Sequence, residues 1–364
     1  MRLAVVATCA LLFIPAFASA EKSRGATPGR HVLEGDEVSV YNIAGEMRVV
    51  RGAGPSVIVE VTPQGRDAGR LRVSETTIGG HPALRVMYPE YKIVYPDFGF
   101  GPPNGVNTDS YLGYGGHRVR VTGRGPGLEA HADIRIAVPR GKRVNLHLAV
   151  GPASISGVEG EIRFEGASSA VDAENLSGAL AVETGSGTIR VSRAKGTISV
   201  ETGSGEIQIS EVEGSVRAEA GSGGIELTRI GGEKIAASAG SGTVSGSDLR
   251  ASELRAEAGS GEVDLDGASA SKLSVDSGSG SIRVRLLKNA DDVHMDAASG
   301  SITLEAPGDL SARFRIECPR KHLHIDFPAE IESGDDDVTV GRIGDGKGRI
   351  SIDAGSGSVR LIRI

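Results

Sequence analysis

A carboxylate recurs along this chain at a nearly fixed interval. Glu183, Glu201, Glu219, Glu257, Asp276 and Asp296, with Ser238 in the one exception, each stand two residues before a Gly-Ser-Gly or its Ala-Ser-Gly variant. If the intervening segments stack as strands, these side chains form one outward column spaced about 4.8 Å apart. Like charges that close repel, so something must offset them. One answer is a divalent cation such as Ca²⁺, or a basic partner, bridging the carboxylates. The other is a solvated face moderated by Arg217, Arg255 and Lys272 on neighbouring positions, and this is the favoured reading. The glycine- and aspartate-rich nonapeptide of calcium-binding β-rolls is absent.

Two further sets of residues have spacings that could do chemistry. In His322-Leu323-His324-Ile325-Asp326 the three polar side chains would share one face of a strand, a spacing that suits a transition metal and equally the polar face of an amphipathic strand. Asp264 and Asp266 share an outward face, with Asp276 a possible third member. Sugar-cleaving β-helices place carboxylates in grooves walled by long loops. Here the turns are short, the repeats lack aromatic sugar platforms, and no Ser-His-Asp arrangement or nucleophile elbow can be read. The chain is therefore expected to be non-enzymatic, with no catalytic, cofactor or metal residue assigned.

The element that positions these residues is the repeat. Gly-Ser-Gly occupies 185–187, 203–205, 221–223, 240–242, 259–261 and 278–280, degenerates at 298–300, and returns at 355–357. The interval is 18 or 19 residues, widening to 20 at the last regular step. A short fixed period signals a solenoid. Within Glu183–Val200, Ile189 and Val191 alternate with Thr188 and Arg190, Gly196 turns the chain, and Ile198 and Val200 alternate with Thr197 and Ser199. Each unit thus carries two strands of period 2. The next unit sets Ile207, Ile209, Val216 and Ala218 in the same slots, so stacking in register makes continuous apolar ladders. One unit alone buries too little to offset the ordering of its backbone, and stability must grow with neighbours. The residue before each Gly-Ser-Gly is small (Thr184, Thr202, Ala220, Ala239, Ala258, Ser277), as the inside of a tight corner requires. The glycines are expected to supply positive φ there, and the serines a hydrogen-bonding column.

The expected architecture is all-β: a parallel β-solenoid with two strands per 18–20-residue repeat, preceded by an N-terminal β-rich capping region. Residues 1–20 read as a signal peptide, with Arg2, an apolar run from Leu3 to Phe17, and Ala18-Ser19-Ala20 as the cleavage signal. Residues 21–36 read as a flexible N-terminus and 37–150 as the β-rich region. Inside it a long loop at 89–117 gathers Tyr91, Tyr95, Phe98, Phe100, Tyr111 and Tyr114. The repeats occupy 151–316, and 317–364 form irregular C-terminal repeats and a cap, with 318–327 expected as one strand. Removal of the leader would leave Cys318 as a lone, partly buried thiol.

Composition narrows the function classes. The 364 residues include 53 glycines, 4% aromatics and no tryptophan, and the net charge is −7. That is no footprint for nucleic acid, whose phosphates call for clustered Lys and Arg. No second apolar run follows the leader, so the mature chain is expected to lack a transmembrane segment.

Together, Val40-Tyr41-Asn42-Ile43-Ala44-Gly45-Glu46, Val138-Pro139-Arg140-Gly141 and the Gly-Ser-Gly units resemble the bacterial putative-adhesin domain family of exported β-strand-repeat proteins. The resemblance covers roughly 36–362. It implies a parallel β-solenoid at the cell envelope, in the periplasm, at the outer surface or outside the cell. It supplies no catalytic residues and no cofactor. The resulting expectation is an adhesin-like or envelope scaffold that binds a surface protein or glycan. The alternatives are an envelope-stress or surface-sensing module, or a polysaccharide-acting β-helix enzyme.

Overall fold

The computed structural model describes residues 29–96, 106–108 and 119–364. The leader, and Phe98, Phe100, Tyr111 and Tyr114 of the 89–117 segment, lie outside the described residues. The protein is a parallel β-solenoid of about nine turns with an N-terminal β-rich region. Its middle consists of long kinked strands, Val171–Ser186, Ile189–Thr202, Ile207–Ala220, Ile225–Ala239, Val244–Ala258 and Val263–Ser277. Each pairs in parallel with the next, residue n opposite n+18 or n+19.

The expected inner slots are filled as read. Ile189, Val191, Ile198 and Val200, then Ile207, Ile209, Val216 and Ala218, are buried. A third inward slot appears between the two pairs, occupied in successive turns by Leu176, Ala194, Val212, Ile230, Leu249 and Ala268. The residue just before it explains why. Asn175, Arg193, Glu211, Arg229 and Asp248 have φ between 52° and 57°, and Gly267 takes the same place at 87°. A left-handed residue kinks the strand and flips the inside-outside alternation, dividing each turn into an A face before the kink and a B face after it.

The Gly-Ser-Gly corner works differently from the expectation. Outside Gly187 and the last copy's Gly355, its glycines do not adopt positive φ. They are needed because successive corners stack: a Cβ on Gly205 would lie 1.7 Å from the carbonyl oxygen of Gly187, and one on Gly223 equally close to that of Gly205. The serine hydroxyls form no continuous column: Ser186 Oγ bonds Ser168 Oγ in the turn before at 3.2 Å, but the later corners are joined through the backbone. The backbone N–H groups of Ser222, Ser241 and Ser260 donate to Gly203, Gly221 and Gly240 in the turn before, at 3.0–3.1 Å. The small residues before each corner are buried as expected, and Thr202 Oγ1 accepts the Gly205 N–H at 3.1 Å.

Both ladders continue beyond the regular repeats, in a different spatial order. On the A face the chain leaves His131–Val138, turns at Pro139-Arg140-Gly141, and lands on the B face as Arg143–Val150. Beneath that crossing sit strands from near the start of the chain. Glu37–Ala44 pairs with Arg143–Val150, and Met47–Arg51 lies between His131–Val138 and Ala153–Ser156. The far end repeats the device. Ile302–Ala306 leads through Pro307-Gly308-Asp309 to Ala312–Glu317, and Gly348–Asp353 sits between Asp292–Ala297 and Ala312–Glu317. Val359–Arg363 sits likewise between Ile302–Ala306 and Leu323–Ile325.

Antiparallel pairings close the ends, although His81–Met87 itself adds to Glu37–Ala44 in parallel and turns the direction only with Arg72–Ile78. His81–Met87 and Arg72–Ile78 lie at one end of the B face, Val338–Ile343 and Ala329–Gly334 at the other, and Val57–Gln64 with Gly29–Leu33 close the A face. Gly29–Leu33 therefore corrects the expectation of a flexible segment to 36. At the N-terminal end Asn42, buried, donates to the carbonyls of Ala44 (3.0 Å) and Ala132 (2.7 Å) and accepts the Tyr88 hydroxyl at 2.8 Å. Part of the 89–117 loop is structured: Lys92–Val94 pairs with Val119–Thr122, which also pairs with Val106–Thr108, and Ile93, Val94 and Tyr95 are buried.

Candidate functional site: the carboxylate column

The acidic column exists and is longer than the repeat alone suggested. Cross-strand register on the B face runs from Tyr41 through His147 and Glu165 to Glu183, Glu201 and Glu219, then Ser238, Glu257, Asp276 and Asp296, and on to Asp353 and Glu317. Glu165 falls on a strand before the first Gly-Ser-Gly. Asp353 precedes the final Gly-Ser-Gly by two residues, the same signal as the rest, but its place next to Asp296 rests on the inserted strand. Glu317 carries no such signal.

Which carboxylates are neutralised depends on the residue two places earlier on the same strand. Where that residue is arginine, the pair closes: Arg163 to Glu165 at 3.0 Å, Arg315 to Glu317 at 2.6 Å, and likewise Arg217 to Glu219 and Arg255 to Glu257. Two residues apart on a strand means the same face, which is why these pairs form within a strand. Glu183 and Glu201 have Ala181 and Ser199 there instead, face each other across adjacent rungs, and are exposed. Lys272 does not belong to this group. It continues the Lys234, Glu253 and Asp292 column at the other edge of the B face, where Lys234 pairs with Glu253 at 3.2 Å.

The half-buried part of the column is electrostatically uneven. Burial pushes the Asp276 carboxyl above its ordinary range, and Glu257 adds to this. His294, the hydroxyl of Ser274 (3.3 Å) and Arg255 oppose it. At the N-terminal end His147 stacks flat on Tyr41, ring centroids 4.2 Å apart and 2° between planes, with Nδ1 3.1 Å from Glu165. Burial lowers the imidazole's pKa. Glu165 pulls the other way but does not win.

The other candidates do not assemble. His322 sits in a short 3₁₀ turn, Arg320–His322, and only Leu323–Ile325 is strand, so 318–327 is not one strand. Among the described residues no three His, Cys, Asp or Glu side chains converge as a ligand group. Asp264 and Asp266 lie on the A face opposite Arg283 and Arg285, with Arg285 3.4 Å from Asp266, while Asp276 lies on the B face beyond the kink at Gly267. Cys318 is buried, and burial raises its thiol pKa.

Sequence reading missed a groove of about 630 Å³ along the left-handed corner. Its lining is charged and in large part internally bonded: Lys195 with Glu213 at 2.8 Å, Arg229 with Glu211 at 2.7 Å, and Arg193 donating to the amide oxygen of Asn175 at 2.9 Å. The sequence signal was Asn175, Asp248 and Gly267 at three of these corner positions, residue types that tolerate the left-handed conformation.

The family described as Toastrack DUF4097 matches residues 195–362, so the resemblance drawn from the repeats holds over this stretch. A putative cell adhesion protein from Clostridium sporogenes aligns at 7% identity over 93% of this chain and 99% of its own, with a TM-score of 0.20. A putative lipid binding protein from Parabacteroides distasonis aligns at 14% identity over 92% and 97%, with a TM-score of 0.29. No curated protein matches the chain.

Proposed function

We propose that this protein is a non-enzymatic, exported scaffold that binds an envelope protein or glycan through the B face of its solenoid, a reading supported by the similarity of residues 195–362 to the Toastrack DUF4097 family. The observation that carries this reading is the column itself. Register holds carboxylates at one-rung intervals from Glu165 to Glu317, interrupted at Ser238, and Glu183 and Glu201 stand next to each other, exposed and without a same-strand arginine. A rigid row of like charges suits many weak contacts to a basic or cation-bridged surface, where linked contacts multiply affinity. The leader-like segment ending at Ala18-Ser19-Ala20 supports export, and among the described residues no helix is long and apolar enough to cross a membrane.

The test is binding to intact cells by purified protein, wild type against the double variant Glu183→Gln, Glu201→Gln, with and without chelator. Loss of binding in the variant supports the B face as the contact surface, and unchanged binding removes it from that role. Cleavage of any member of a panel of acidic polysaccharides, abolished by Asp264→Asn, would overturn the scaffold reading. N-terminal sequencing of the protein recovered from the envelope or medium tests export, with Glu21 expected first.

A further inference from the structure

The far end of the solenoid contains a slot built by one part of the chain and filled by another. Because Ile302–Ala306 crosses directly to Ala312–Glu317, the B-face strands Asp292–Ala297 and Ala312–Glu317 stand two strand spacings apart, roughly 9–10 Å. Gly348–Asp353 fills that space with parallel pairing on both sides. One rung on, Val359–Arg363 does the same on the A face.

We propose that this slot is a docking site for the same strand pair, residues 348–363, of a second copy of the chain, and that two copies exchange the pair reciprocally. The pair's strand register, its buried Ile350, Ile352, Val359 and Leu361, and its pinning bonds are all directed at residues 290–326. Among these bonds, Arg349 N–H donates to Asp291 O at 2.9 Å and Gly348 N–H to Ser311 O at 2.9 Å. An identical segment from another molecule makes every one of these contacts. What ties the pair to its own slot is the short segment Gly344-Asp345-Gly346-Lys347, mostly exposed, with both glycines in the left-handed region. Straightening that segment is the only rearrangement the exchange requires, and this is the low-cost route by which identical elements swap.

The opposite end shows how a pair inserted in the same way is held more firmly. Glu37–Ala44 and Met47–Arg51 are inserted under a crossing in the same way, but they are held on both sides. Gly29–Leu33 before them and Val57–Gln64 after them pair with each other. The C-terminal pair has no second tie of that kind among the described residues. It also closes late, because Val293 meets Ile350 and Ile302 meets Val359 only across long stretches of chain. Until then the slot is open to another copy.

The experiment uses the full chain carrying His294→Cys and Ser351→Cys, outward neighbours on the two paired strands. The protein is partly denatured at high concentration, renatured and oxidised. Exchange predicts a covalent dimer on a non-reducing gel that becomes the major species when Gly346 and Lys347 are deleted, and that falls away when Gly-Ser-Gly-Ser is inserted after Asp345. Monomer alone from both the parent and the shortened hinge overturns the proposal. If the shortened chain does not fold, ¹⁵N-labelled and unlabelled wild type are renatured together and weighed by native mass spectrometry. Mixed dimers support exchange, and monomers only, at every concentration, refute it.

Discussion

The middle and the ends of this solenoid solve the same problem by opposite means. Between Val171 and Ser277 every strand pairs with the next in sequence, so each contact is a copy of the one 18 or 19 residues away. At the ends the strands that meet are distant in the chain, as Met47 with Ile134 or Asp296 with Asp353, and each end is closed by antiparallel strands. A stack of identical rungs has no internal reason to stop and would leave unpaired backbone at its last strand. Interleaving and antiparallel caps supply the stop. The middle gains stability by repetition, and the ends gain it by burying particular residues once.

Substitutions can break this contrast, beginning with the middle. Ile207→Asp places an unpaired charge in the ladder where no water reaches, and should cost more than about 4 kcal/mol or abolish cooperative unfolding in a denaturant titration. A mild effect would mean that single rungs relax independently of their neighbours. Gly223→Ala drives a methyl group against the Gly205 carbonyl and should cost about 1–3 kcal/mol, since neither stacked backbone can yield without breaking its own register. At the N-terminal end, Tyr88→Phe leaves Asn42 short of one partner and should cost about 1 kcal/mol. If the ends are the weak points, hydrogen exchange in Glu37–Ala44 should rise in this variant while exchange in Ile207–Ala220 stays unchanged.

The smallest effects concern charge, and their signs differ along one column. For His147 the folded imidazole has a depressed pKa, so its stabilising contribution is full above the ordinary histidine value and is lost as pH falls through about 6.5 and below. For Asp276 the folded carboxyl is raised, so its contribution is full in acid and is lost as pH rises through the folded value. Asp276→Asn should therefore leave neutral-pH stability unchanged or slightly improved, while replacing His147 with Gln should flatten the acid limb of the melting profile. The reverse pattern in thermal melts across pH 4–8 would show that pairing with Glu165, not burial, governs His147.

Much of this was legible in the repeat. The inward residues, the small side chains inside the corner and the outward carboxylates all follow from period 2 within period 18, because side-chain direction in a strand is set by parity alone. The reading failed where parity broke. Nothing in the types of Arg193, Glu211 or Arg229 announces a left-handed residue, so the third inward slot and the charged groove beside it went unseen. The corner glycines are obligatory, but positive φ is the lesser reason. Their lack of a side chain matters chiefly because of the carbonyl stacked against them, which belongs to another turn. Nearness in sequence sets Lys272 beside the acidic column, yet pairing puts it at the other edge of the face.

By itself, the sequence determined the rung: its length, its two faces, what points inward, and the row of carboxylates outward. Those are consequences of local backbone geometry repeated at a constant interval. Only the tertiary structure decided which strands become neighbours where the interval lapses, because there the pairing is chosen by crossings at Pro139 and Pro307 that skip a level. Those crossings admit the terminal strands, bring Asp353 and Glu317 into the acidic row, and leave a slot that a second copy can fill.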